Sequence, residues 1–103
     1  MDINEKDWKT LRKKLPDWQK SYMERLNKEY MEILSSDAPA STKFWELEKR
    51  INRDKRDTGV VADMRRSQMI SIIMELLEEG AITIDDLSDF SEDLQELMKR
   101  FYG

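Results

Sequence analysis

Apolar positions along this chain recur at helical spacing, interrupted by short polar breaks. Trp8, Leu11 and Leu15 fall at i, i+3 and i+7, and Glu5 and Asp7 occupy a first turn where the helix dipole favours acids. With Asn4 suited to cap it, the pattern predicts a helix from about Asn4 to Lys14. Pro16 has no amide proton for a helix interior but fits a first helical position, which predicts a corner at Leu15-Pro16-Asp17 and a restart. A second helix is then expected from about Pro16 to Ser35, with Trp18, Tyr22, Met23, Leu26, Tyr30, Ile33 and Leu34 on one broad face.

Ser35 to Ser41 is small, polar and holds a proline, and reads as a loop ending in a cap at Ser41 or Thr42. A third helix follows to about Asp57. Its apolar side is only a strip of Ala40, Phe44, Leu47 and Ile51 with Trp45 at the flank, so it is expected to touch the core along one line. Thr58-Gly59 stops it, and Val60-Val61-Ala62 reads as an apolar strap leading to Asp63 as the next cap.

The stretch from Met69 to Leu77 is the only one apolar over an arc of roughly 200° at 100° per residue, which marks it as the centre of the fold. Gly80 ends it as a left-handed residue. Two further cap signals, Thr83-Ile84-Asp85-Asp86 and Ser91-Glu92-Asp93-Leu94, predict a short turn from Ile84 and a last helix from Glu92 to about Phe101. The expectation is therefore one all-α domain over 1–103, a compact bundle of about five helices around a central apolar helix at about 63–79.

Composition narrows the chemistry. With 3 Gly and 2 Pro in 103 residues the chain is short of turn residues, which favours helices over strands. The chain has no Cys and no His, so thiolate chemistry, zinc-thiolate sites and the commonest general base and metal ligand are closed to it. The opening residues lack an apolar secretory core and no run approaches the roughly 20 residues a bilayer demands, so a cytoplasmic protein with no membrane contact is expected.

The net charge of −4 conceals its distribution. Residues 43–66 carry eight bases against five acids, whereas residues 67–98 carry nine acids and no base. Arg53, Lys55 and Arg56, followed by Arg65 and Arg66, form a basic corner, and the last two lie where a helix dipole disfavours cations. Such a corner suits an external phosphate or carboxylate, or pairing with the acidic segment.

The acids offer a second candidate. Glu75, Glu78, Glu79 and then Glu92, Asp93, Glu96 are spaced to hold magnesium between two helices, as in small all-α nucleotide pyrophosphohydrolases. Here, however, Glu75-x-x-Glu78-Glu79 runs in the reverse order, and no cation in 67–98 would hold a substrate phosphate. Neither catalytic nor metal-ligating residues are assigned, and no cofactor is implied. Trp45 and Tyr102 are the apolar residues expected to remain exposed for a contact.

These readings imply a small non-enzymatic interaction or regulatory protein with a protein partner, self-associating as a homodimer through part of the wide apolar face of the central helix. A nucleic-acid-binding regulator using the basic corner at 49–66 ranks second, and a magnesium-dependent nucleotide pyrophosphohydrolase-like bundle is a remote third.

Overall fold

The computed structural model describes residues 4–103, and they are all-helical. Four α-helices run in the order α1 (Glu5–Ser35), α2 (Ala40–Asp54), α3 (Met69–Glu78) and α4 (Glu92–Tyr102), with 3-10 turns at Arg66–Gln68 and Ile84–Leu87.

The expected corner at Pro16 is absent. Helix α1 passes through Pro16 without a break for 31 residues, or about 46 Å at 1.5 Å per residue. The proline leaves the Arg12 carbonyl without its helical donor, but both residues face solvent, where water can replace the bond. What holds the helix through this defect is the apolar stripe, because Trp8, Leu11, Leu15, Tyr22 and Leu26 are buried on one side of it in unbroken phase. Asn4 caps the start, its Oδ1 accepting from the Lys6 amide at 2.9 Å.

The core lies around the N-terminal half of α1. Trp8, Leu11 and Leu15 meet Met69, Ile72, Ile73 and Leu76 of α3, Ile82, Leu87 and Phe90 of the connection, and Leu94 and Met98 of α4. Asp7, 2% exposed, closes one end by accepting from the amide and hydroxyl of Ser91, itself the N-cap of α4. A Schellman arrangement ends α3: Gly80 at φ +73° sends its amide to the Leu77 carbonyl while Ala81 bonds that of Leu76.

The segment expected at 63–79 is shorter than the sequence suggested. Residues 63–65 are outside any helix, Arg66–Gln68 form a 3-10 turn, and α3 begins at Met69. Asp63 does not cap it, because its carboxylate is taken by Arg65.

The second half of α1 runs beyond this core, and α2 folds back along it as a hairpin. Of α2 only Asp54 is buried, while Phe44, Trp45 and Ile51 are exposed. The bundle is therefore not the compact body expected. Its extents are 52 × 25 × 20 Å, and its radius of gyration of 16.3 Å exceeds the ~13 Å of a compact chain this long. Among the described residues no helix is long and apolar enough to cross a membrane.

Candidate functional site

The basic corner comes apart in three dimensions. Arg66 pairs with Glu5 at 2.7 Å, at the start of α1, whereas Arg53 pairs with Asp54, which accepts from Tyr30 at 2.7 Å. Glu5 and Tyr30 are 25 residues apart on one helix, about 37 Å. Arg65 is held by Asp63 two residues away. Lys55 and Arg56 are exposed and, among the described residues, form no ion pair. The five cations do not converge on one ligand, and three of them already have carboxylate partners.

The acids are similarly occupied. Glu79 grips the turn after α2 with both oxygens, accepting from the Thr58 amide at 2.8 Å and the Gly59 amide at 2.9 Å. Glu75 accepts from the Thr58 hydroxyl, and Glu78 from the Tyr102 hydroxyl. Burial pushes the Glu79 carboxyl above its ordinary value even though those two amide bonds favour its charge. No group of three or more potential metal ligands occurs among the described residues.

Across from Glu79, α1 closes the same seam. Tyr22 donates to Asp57 at 2.5 Å, and the Gln19 amide reaches the Thr58 carbonyl at 3.0 Å. Burial and the bond to Asp54 raise the Tyr30 hydroxyl to about 12, and burial with the Asp57 bond raises Tyr22 further. Asp54 stays below the ordinary carboxylate value: burial opposes this, but the bonds from Tyr30 and Arg53 and the charge of Arg50 outweigh it. Arg50 bonds Glu29 at 2.7 Å while its Nε is buried without a partner. Together these groups form a polar strut in which Tyr30–Asp54 and Arg50–Glu29 tie α1 to α2, while Glu75 and Glu79 tie the turn after α2 to the end of α3.

No protein-family model, curated protein or solved structure matches this chain.

The remaining feature is apolar. Among the described residues nine large hydrophobics are exposed, and six of them, Met23, Met31, Leu34, Phe44, Trp45 and Ile51, lie on the α1–α2 hairpin. Trp45 is 63% exposed and packs edge-on against Phe44 at 4.9 Å. Tyr102 is not the exposed member of its pair; it is half-buried and bonded to Glu78, while Phe101 is out in solvent.

Of the arc of α3 expected to drive self-association, Met69, Ile72, Ile73 and Leu76 are buried in the chain's own core, with Ile70, Met74 and Leu77 partly buried against it. Phe44, Ile51, Met23 and Leu34 are surface residues that lie at core-facing positions by periodicity alone. One signal did distinguish the α2 pair, namely a narrow apolar strip with charge on every other side.

Proposed function

We propose that this chain is a non-enzymatic interaction protein whose α1–α2 hairpin is the contact surface. The observation that carries the reading is the concentration of exposed apolar side chains on that hairpin, in a chain that elsewhere packs Trp8, Phe90 and Met98 nearly completely. Aromatic and methionine side chains together are the composition of adaptable helix-binding surfaces. The polar strut supports it as well, since the Tyr30–Asp54 and Tyr22–Asp57 bonds hold the two arms of the hairpin together while Glu79 ties its base to the end of α3, which makes its face a preformed one.

A photo-cross-linking residue in place of Trp45, compared in cells with one at exposed Ser71 on α3, tests the reading. Cross-linked protein products from position 45 and none from position 71 are expected. Absence of any product from position 45 overturns it. If labelled duplex or single-stranded nucleic acid then binds in a salt-sensitive manner, and Lys55→Ala with Arg56→Ala abolishes the binding, the nucleic-acid reading takes its place.

A further inference from the structure

The hairpin has two unlike sides. One presents charge: Arg25, Glu29, Arg50 and Arg53 line a polar hollow with Asp54 and Asp57 at its floor. The other is apolar, with a groove of about 300 Å³ between the helices, walled by Met23, Leu26, Tyr30, Ile51 and Val60. Ile51 also belongs to a second, shallower hollow nearer the hairpin tip, walled by Phe44 and Leu47. The apolar side is thus one continuous face with Ile51 at its middle, the groove towards the base and the Phe44 ring, 62% exposed, towards the tip.

We propose that a second copy of this chain covers this face, pairing two hairpins into a four-helix arrangement about a two-fold axis near Ile51. This inference rests on the reading of the hairpin as a contact surface and names its occupant. Two features of the face point to self-pairing. The first is shape: a two-fold at Ile51 exchanges tip and base, so the protruding Phe44 of each copy arrives over the groove of the other.

The second is charge. Glu48 precedes Ile51 by three residues and Lys55 follows it by four, and both line the hollows of this same side. Among the described residues neither has an ion-pair partner, the Glu48 carboxylate accepting only from Asn52. With α2 antiparallel to its copy, Glu48 of each chain falls opposite Lys55 of the other. The face is its own charge complement in that register and not in a parallel one. A protruding ring, a groove and two opposite charges equidistant from a point between Ile51 and Asn52 are the requirements of an isologous contact.

The test is the mass of the full chain in solution, by sedimentation or light scattering over a wide concentration range. Twice the 12.4 kDa of one chain is expected at high concentration. Phe44→Glu and Ile51→Glu should give the single-chain mass with unchanged helical circular dichroism, because both positions are exposed and leave the core intact.

Charge exchange fixes the register. Glu48→Lys alone and Lys55→Glu alone should each weaken self-association about tenfold or more by placing like charges opposite each other. Mixing the two variants, or combining both changes in one chain, should restore it. A chain that stays at 12.4 kDa at all concentrations overturns the proposal, as does a dimer indifferent to Phe44→Glu or a charge-exchanged mixture that fails to recover. A single-chain mass together with cross-links from position 45 to a different protein removes the second copy and leaves the contact-surface reading standing.

Discussion

Tyr22 and Tyr30 each donate a hydroxyl proton to a carboxylate, Tyr22 to Asp57 in the turn after α2 and Tyr30 to Asp54 at the end of α2, and that choice sets a pH limit on the fold. The neutral phenol is the form favoured in the folded chain, so the folded value lies above the ordinary 10.0. Stability from these groups is intact below pH 10 and declines as the pH climbs through about 12, where Tyr30 ionises. Phenolate absorbance should therefore rise late in the native protein and at the ordinary pH in urea. Tyr30→Phe should remove one late-titrating group and cost about 1–2 kcal/mol in denaturant melts, because it strips a donor from buried Asp54. Gly59 is constrained differently. A Cβ there would stand 2.3 Å from the Tyr22 ring, so Gly59→Ala should lower stability by about 1–3 kcal/mol and loosen the Tyr22–Asp57 bond, both readable from urea titration and from the Tyr22 phenolate curve.

At the scale of elements, some caps were legible in the sequence and helix continuity was not; the caps expected at Ser41 or Thr42 and at Asp63 are not used, since α2 starts at Ala40 after Pro39 with no side-chain cap and α3 starts only at Met69. Asn4, Ser91 and Gly80 act where the chain pattern puts them, and Thr83 with Asp86 forms a reciprocal capping box at the 84–87 turn. Such signals are local: one side chain answers one or two orphan amides, and neighbouring residues suffice to read it. Pro16 misled for the opposite reason. Its penalty is local, but the apolar stripe through Leu11, Leu15, Tyr22 and Leu26 keeps one phase across it, and the energy of that longer stripe decides. Pro16→Ala should accordingly raise stability by about 1–2 kcal/mol with no change of fold, seen as a higher denaturation midpoint at unchanged slope. For the candidate site, residue types were legible and their pairing was not. Arg53 and Arg65 lie one and two residues from the aspartates that neutralise them, yet nothing in the chain order announced that Arg66 would cross to Glu5. Nor did it announce that Glu75 and Glu79 would be bound to a turn.

The whole molecule divides its apolar residues between two ends. Ile73, fully buried, belongs to the end that holds the core, and Ile73→Asp should abolish cooperative melting by placing an unpaired charge there at a cost of several kcal/mol. A soluble, fully helical, cooperatively melting Ile73→Asp chain would place the core elsewhere. The opposite end has Phe44, Trp45, Met31 and Leu34 in water, and α1 is common to both. One helix therefore crosses from an environment that locks its amides to one that does little to protect them. In deuterium exchange α1 should show a gradient, the amides from Trp8 to Leu15 opening only with global unfolding and those from about Asn27 to Ser35 exchanging through local fraying. Whatever seats itself on the hairpin would then be recorded as slowed exchange far from the core. The long helix is in effect a built-in gauge of occupancy, its last two turns reporting contact while its first turns report whether the chain is folded.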